Sequence, residues 1–471
     1  MTKWLALILV LGLILRLSLL FWLSGEKLSI VDEQHYDQLA TELAVSGNYQ
    51  VDGKFVSLRP PLFPWCVSQV YRVCGVGNYM AVRVLQIFLA LLTVVCVYGL
   101  AKEFLAEVIS AESGKRWALV AAAVFCFYPS MIGDTFLVLT ETLFTFWIVL
   151  ILWTSVHFFR TGSLFVASFC GVFIGLGALT RSILWMSPIP LALFILCFAA
   201  GISLRRRVAA VALMCVLAAA VMAPWMVRNT RVQKTLTAID CMSGRNLMMG
   251  NYEYTPLYRA WDAVMVPSPK DWSTVLYYDY RERTGENIFR KTQGQIDKEA
   301  GSYAKRYILA HPGQTVKRDA VKALCFWQLE RSLPAGIQKG CWGFAEVSPK
   351  ARQGWVAGVG CLIQAIYCPL FITAVLGVCL GFSRISTRQK TVQAFLCCIV
   401  LYFWGIHALI FAHERYHLPV VPILILFAVL FGVRRSDLRQ YLHRHPVLSA
   451  CAGLFLAIVA VFWCVEVSLL F

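Results

Sequence analysis

Charge is the scarcest property of this 471-residue chain. Asp, Glu, Lys and Arg together make up 15% of it, hydrophobic residues make up 59%, and the mean hydropathy is +0.66. Soluble domains are near half apolar and a quarter charged, so a soluble globular protein is excluded and a polytopic membrane protein is implied. Acidic residues are the rarer sign, 26 against 43 Lys and Arg, for a net charge of +17. Basic residues set orientation in membrane chains, so this surplus requires no nucleic-acid partner. The 17 cysteines show no zinc-site spacing. Most, such as Cys96, Cys126, Cys170, Cys197, Cys397 and Cys398, lie in apolar runs where a thiol behaves as a small hydrophobe. Cys66, Cys74, Cys241, Cys325 and Cys341 lie in more polar stretches, where an oxidising compartment would allow pairing. The first apolar run carries no small-residue cleavage pattern and reads as a retained span rather than a signal peptide. No internal repeat is visible, which argues against a carrier built from repeated halves.

Long apolar runs are what the chain has instead. Residues 4–23, 82–100, 117–128, 136–157, 164–179, 184–200, 208–227, 355–382, 392–411, 418–433 and 447–471 read as about 11 transmembrane helices of an all-α polytopic protein. Residues 228–353 are ordinary in polarity and long enough for a small globular domain outside the membrane. Three units follow: a membrane module, 1–227, with a first outer loop at 24–81; a soluble domain, 228–353; and C-terminal spans, 354–471. With the N-terminus cytoplasmic, the cytoplasmic connectors hold Lys115, Arg116, Arg160, Arg205, Arg206, Arg207, Arg384, Arg388, Lys390 and the basic residues of 434–444. The opposite short loops hold little beyond Arg181 and Arg415. That asymmetry predicts that the acidic first loop and the polar domain face outward.

Several constellations stand out against this background. Val31-Asp-Glu-Gln-His-Tyr36 places Asp32 and Glu33 beside His35 and Tyr36 just after the first span. An acid there suits a helix cap at the membrane edge, and equally an acid used for chemistry. Arg59 follows in Leu58-Arg-Pro-Pro-Leu-Phe-Pro-Trp65. It could snorkel to headgroups, but Pro60, Pro61 and Pro64 stiffen the chain around it, which suits a fixed cation. Glu141 lies within an apolar run with no neighbouring Lys or Arg, a functional position by default, and Asp134 falls seven residues earlier, near the same face if the helix begins that early. His413, Glu414 and His417 crowd too closely for a zinc site. Arg415, with Tyr416 beside it, and Arg228 in Pro224-Trp-Met-Val-Arg-Asn229 are expected at the same outer depth as Arg59. Three arginines at one depth suit a phosphate, which a guanidinium fork binds through two hydrogen bonds at once.

These motifs, together with Leu139-Thr-Glu-Thr-Leu-Phe144, Ser243-Gly-Arg-Asn-Leu-Met-Met-Gly-Asn251 and Glu414-Arg-Tyr-His-Leu-Pro419, resemble the integral-membrane glycosyltransferases of the GT-C fold. The branch they resemble is family 39, with its protein O-mannosyltransferases and lipid A aminoarabinose transferases. The resemblance implies an inverting transfer of a sugar from a polyprenyl-phosphate donor to a lipid, glycan or protein acceptor, on the outer face of the plasma (inner) membrane. It implies Asp32 as the base beside the acceptor, with Glu33 adjacent, and Glu141 orienting the acceptor or sharing the proton. It places Arg59 on the donor phosphate, with Arg228 and Arg415 as further phosphate ligands and His35, Tyr36, Asp134 and Tyr416 as substrate contacts. No cofactor is implied. Leu58 stands where aminoarabinose transferases carry a metal-binding glutamate, and His35 replaces a basic residue, so a divalent metal and that particular substrate are not supported by the motifs.

Two other classes compete with this reading. A transporter or lipid flippase predicts acids spread through the depth of the bundle and repeated halves. A structural membrane protein leaves Glu141 and the large outer segment unexplained. A membrane glycan ligase or polymerase stays open, because it shares the chemistry.

Overall fold

The computed structural model describes residues 2–22, 28, 30–106, 108–341, 344, 346–382 and 386–468. Arg384 and the ends of the runs 4–23 and 447–471 lie outside these residues. The chain is helical throughout: α1 (Thr2–Trp22), α2 (Val31–Val45), α3 (Leu62–Cys74), α4 (Tyr79–Leu105), α5 (Ala111–Cys126), α6 (Pro129–Asp134), α7 (Glu141–Thr161), α8 (Leu164–Thr180), α9 (Pro188–Phe198) and α10 (Leu204–Gln233). The polar segment that follows holds α11 (Ser243–Met249), α12 (Trp272–Thr284), α13 (Gln293–Ala310), α14 (Pro312–Phe326) and α15 (Ser332–Gln338). Then follow α16 (Pro349–Gly381), α17 (Thr387–Leu409), α18 (Val421–Arg434), α19 (Leu438–Arg444) and α20 (Pro446–Ser468). Among the described residues the only β pairing is an isolated bridge between Val51 and Phe55.

A helix stands at each apolar run, and the protein is an integral membrane protein. Among the described residues, eight helical segments are long and apolar enough to cross a bilayer, fewer than the expected eleven. The stretches 164–180 and 182–198 are apolar but shorter, and α5 begins with charged residues. The starts follow side-chain capping: Asn78 accepts from Ala81 N at 3.0 Å ahead of α4, Ser163 from Val166 N ahead of α8 and Ser386 from Gln389 N ahead of α17. Arg16, the one charge inside the first run, is fully buried and donates to the carbonyl of Cys126 at 3.0 Å, at the C-terminal end of α5.

Two boundaries correct the sequence expectation. The run 136–157 is not helical from its start: α7 begins only at Glu141. Residues 135–138 find their partners elsewhere. Arg83 donates to the carbonyl of Phe136 at 2.9 Å, Gln86 to that of Leu137 at 2.8 Å, and Glu33 accepts from Val138 N at 2.9 Å. Irregular backbone at membrane depth is tolerable when it is buried in protein and satisfied by side chains, which is the case here. At the other boundary, α10 continues six residues past Val227, so Arg228 and Asn229 belong to that helix and not to the domain after it.

The polar segment after α10 has its own core, built from residues including Met248, Tyr252, Leu276, Ile288 and Ala304. It is fastened to the membrane helices at their ends. Lys322 and Asn251 both donate to the carbonyl of Leu409, the last residue of α17. Glu466, buried in α20, accepts from Leu329 N at 2.8 Å and from Arg331 at 3.1 Å.

Helix packing within the bundle depends on missing side chains. A Cβ on Gly171 of α8 would lie 2.3 Å from the Met214 carbonyl oxygen of α10, and one on Gly377 of α16 would lie 1.9 Å from that of Phe427 in α18. Gly171→Ala should therefore lower the thermal stability of the purified protein by about 1–3 kcal/mol, as overpacking does. Gly405→Ala, which meets nothing within 4 Å, should not. Equal melting curves for the two variants would show that α8 and α10 have room to separate.

Candidate active site

The two adjacent carboxylates at the start of α2 have separate tasks. Glu33 is buried and turns inward, one oxygen accepting from Ile30 N at 3.2 Å and the other from Val138 N. It caps α2 and holds the irregular segment before α7. Both of its oxygens are thereby engaged by backbone N–H groups, unlike those of Asp32. Asp32, one residue earlier, faces Arg59 and forms an ion pair with it. His35 Nδ1 lies 3.2 Å from the same guanidinium, and the Tyr36 ring lies 5.5 Å beneath it. Burial pushes Asp32 up, but Arg59, Arg415 and His35 outweigh it and hold the carboxyl below its ordinary range. The pair's contribution to stability is therefore complete at neutral pH and is lost only as pH falls through that depressed value.

Arg59 is held by its backbone. The Tyr49 hydroxyl donates to the carbonyls of Arg59, at 2.7 Å, and Pro60, at 3.1 Å. The loop preceding Arg59 turns at Asp52 and Gly53, both at positive φ, and is clamped at Ser57. Ser57 is fully buried, donates to Asn229 at 3.0 Å and accepts from Gln233 at 2.9 Å, while its carbonyl accepts from Cys241 N. Arg228 belongs to this clamp. It donates to Val56 O, to Ser57 Oγ at 3.2 Å, to Asn229 Oδ1 at 2.8 Å and to Tyr49 O at 3.4 Å. These bonds make Arg228 an anchor of the loop. Arg228 also lines a cleft of about 540 Å³, together with Leu43, Tyr49, Leu62, Trp65, Leu179 and Trp225.

Glu141 is not an unpaired acid within a span. As the first residue of α7 it faces Arg181 at 3.4 Å and Arg415 at 3.8 Å. Arg415 comes from the 3-10 turn 414–416 between α17 and α18, next to Tyr416, whose ring stacks on His407 at 4.3 Å. Asp134 ends α6 and shares no helix with Glu141. Burial, and then the Glu141 charge, push its carboxyl well up, and its Oδ2 makes no hydrogen bond. Asp32 with Arg59, and Glu141 with Arg181, Arg415 and Tyr416, thus gather in one charged cluster, Arg415 acting on both carboxylates.

His413 and Glu414 pair with each other at 2.9 Å, while His417 turns away from both. Glu414 accepts from Gln328 and Ser332, whereas His417 is fully buried between Phe326 O at 2.8 Å and Glu330 at 2.9 Å. Among the described residues no three His, Cys, Asp or Glu side chains gather as a metal site.

Sequence reasoning passed over two residues. Arg181 served only as a mark of topology, although it pairs with Glu141. Asp240 follows α10 and accepts from Met242 N at 3.2 Å; burial pushes it up to about 6, against the pull of Ser182 and Arg59. Neither has a local signal, because each meets its partner only across the fold.

Over its whole length the chain superposes on the archaeal oligosaccharyltransferase AglB of Archaeoglobus fulgidus. In the apo form of that enzyme the match has a TM-score of 0.51 and 13% identity, and covers 98% of this chain and 55% of the other. The fold is GT-C. A second AglB structure, in complex with an inhibitory peptide and a dolichol-phosphate, gives a TM-score of 0.50 at 14% identity, covering 98% and 54%. The GT-C chain described here thus spans about half the length of the oligosaccharyltransferases it matches. ArnT from Cupriavidus metallidurans bound to undecaprenyl phosphate aligns over 93% of this chain and 79% of its own, at 15% identity and a TM-score of 0.41. In sequence, residues 58–227 match the family model of dolichyl-phosphate-mannose-protein mannosyltransferases. No curated protein is similar enough to match. Within the GT-C framework the matched stretch carries Arg59, Glu141 and Arg181, while Asp32 and Arg415 lie outside it.

The clamp assignment is testable without substrate. Arg228→Ala removes several charge-assisted hydrogen bonds of about 1.5–3 kcal/mol each, so amides at Val51 and Phe55 should exchange with deuterium much faster. Unchanged protection of that loop would return Arg228 to the list of ligand-binding residues.

Proposed function

We propose that this protein is an inverting membrane glycosyltransferase that moves a sugar from a polyprenyl-phosphate donor to an acceptor hydroxyl or amine on the extracytoplasmic face of the plasma (inner) membrane. The observation that carries this reading is the Asp32–Arg59 pair, a base and a phosphate ligand on one fixed loop of a GT-C fold. Arg59 stands where the donor phosphate would enter. The apolar and aromatic cleft behind the Pro60–Pro61 backbone has room for the first prenyl units.

The chemistry asks little of the protein. As the bond between the anomeric carbon and the phosphate oxygen breaks, its electron pair moves onto the phosphate, and Arg59 stabilises the growing charge. The acceptor atom attacks the opposite face of the sugar, its proton passes to Asp32, and the anomeric configuration inverts. The resting ion pair gives this order a physical basis. A bound phosphate draws the Arg59 guanidinium away, Asp32 loses its principal counter-charge, and its basicity rises only when donor is present. Glu141, Asp134 and Tyr416, with His35 and Tyr36, would then orient the acceptor and the sugar, and Arg415 would balance Glu141 and Asp32.

Polyprenyl-phosphate sugars of different identity, radiolabelled and offered to the purified protein with extracted acceptor lipid, test the reading directly. Release of polyprenyl phosphate with transfer of label supports it, and no turnover of any such donor overturns it. Asp32→Asn should lower turnover by about 10²–10⁴-fold, as expected on loss of a general base. The pH profile carries a sign. Because Arg59, Arg415 and His35 hold Asp32 low, kcat/KM should survive acidification to below the ordinary carboxylate pKa of about 3.9, and Arg59→Gln should move the acid limb upward. An acid limb that ignores Arg59 would assign the base to another group.

The side of the membrane follows from the basic residues of the short loops. Cysteines introduced near Pro267 should react with an impermeant thiol reagent from outside intact cells, and ones near Arg206 should not. The opposite pattern would turn the site toward the cytoplasm.

A further inference from the structure

We propose that the segment 326–332, at the end of the polar part of the chain, positions Arg415, with Glu330 and Ser332 as positioning residues that act on the transfer through that guanidinium. The proposal rests on the glycosyltransferase reading for the reaction that Arg415 serves, and on geometry for the positioning.

Arg415 sits in the 3-10 turn 414–416, a form whose own hydrogen bonds hold it weakly. Side chains three apart in such a turn lie over the same edge, and here those two, Glu414 and His417, both reach the segment 326–332. Glu414 accepts from Gln328 and, at 2.7 Å, from Ser332. His417 lies 2.8 Å from the Phe326 carbonyl and 2.9 Å from Glu330. A carbonyl only accepts, so Nδ1 of His417 donates to Phe326 and Nε2 is left for the Glu330 carboxyl. Arg415 and Tyr416, between these two anchored residues, meet Glu141 and Arg181 instead.

The segment is fixed in its turn by the membrane helices. It joins α14 to α15, and Phe326, Trp327, Gln328, Leu329 and Glu330 are all buried. The Glu330 carboxyl accepts from Tyr128 and Ser130 at the start of α6, and its carbonyl accepts from Gln364 of α16 at 2.6 Å. The Trp327 carbonyl accepts from Tyr367 of α16 at 3.1 Å and from Trp463 of α20 at 2.7 Å. The Tyr367 ring also stacks on His417 at 4.9 Å. Leu329 N and Arg331 both donate to Glu466 of α20. Apolar contacts tolerate sliding, whereas a buried network of hydrogen bonds selects one arrangement. The position of Arg415 beside Glu141 is therefore set by α6, α16 and α20, acting through residues that the sequence assigns to the polar segment. Tolerance at a reacting site is small, a misplacement of about 1 Å costing on the order of 10²-fold in rate.

The test uses full-length Ser332→Ala, Glu330→Leu and Glu330→Gln in nanodiscs. Hydrogen exchange at the amides of Tyr416 and His417, which donate to His413 O and Glu414 O, reads the turn without substrate. Kinetics with a polyprenyl-phosphate sugar read the site. Glu330→Leu should speed that exchange and lower kcat/KM about tenfold or more, Glu330→Gln should restore part of both, and Ser332→Ala should have a several-fold effect. The pH profile separates positioning from loss of stability. Against burial, Arg59, Arg415 and His35 hold Asp32 low, so displacing Arg415 should move the acid limb of kcat/KM upward although Arg59 is untouched. Ser332→Ala removes one hydrogen bond from a half-buried hydroxyl and decides the matter if Glu330→Leu fails to fold. Folded variants with wild-type exchange at both amides overturn the positioning role and leave the glycosyltransferase reading intact. Faster exchange with an unmoved acid limb and unchanged kcat/KM makes the segment a support of the fold alone, and also overturns the proposal. Wild-type protein that turns over no such donor overturns the glycosyltransferase reading, while faster exchange in the variants still supports the hold of 326–332 on the turn.

Discussion

Every backbone N–H and C=O at membrane depth needs a partner within the protein, and the site exists because this chain meets that requirement without a helix at residues 135–140. Arg83 and Gln86 reach across from α4 and Glu33 from α2, and together they replace the ladder that a longer α7 would have supplied. The consequence is positional. By starting late, α7 presents Glu141 on its open first turn instead of burying it in the middle of a span, and an acid there is favoured by the helix dipole. Arg181 and Arg415 can approach it only because that turn is open. Had one helix run unbroken from α6 into α7, Asp134 and Glu141 would have stacked on one face and the two arginines would have met a wall of backbone.

The same parts hold the first loop. Glu33 ties α2 to the irregular segment, which sets the direction of the helix and leaves Asp32 pointing to Arg59. On the far side, Ser57, Asn229 and Arg228 fix the loop that carries Arg59. Each partner of the central ion pair is thus positioned by groups that do not enter the pair. The pair is partly buried, with 34% of the Asp32 side chain and 17% of the Arg59 side chain accessible, so removing one partner leaves an uncompensated charge out of full contact with water.

What the sequence revealed follows the range of the forces involved. Long apolar runs are local properties, so the helix positions were legible in advance. The late start of α7 was not, because Phe136-Leu-Val-Leu139 is as apolar as any span and the groups that unwind it lie about 50 and 100 residues earlier in the chain. Arg228 illustrates a second limit. It meets the loop that carries Arg59, but proximity says nothing about whether a guanidinium has donors to spare. Arg181 was set aside for the converse reason: its partners, Glu141 and the rings of Phe144 and Tyr416, come together only through α7 and the turn after α17.

The distribution of the cluster's residues along the chain constrains how such a site can be assembled. Asp32 arrives with α2 and Arg59 with the loop before α3, Glu141 with α7, Arg181 with the link between α8 and α9, and Arg415 with the turn after α17. The stretch that matches the mannosyltransferase family model ends at residue 227, so it lacks Asp32 at one end and Arg415 at the other. Without Arg415, Glu141 would depend on Arg181 alone for its counter-charge, and a buried carboxylate is costly unless well paired. The C-terminal helices therefore contribute to this cluster as well as to the bundle. They deliver the second cation beside Glu141, and α18, packed against α16 closely enough to require Gly377, follows the turn that carries it.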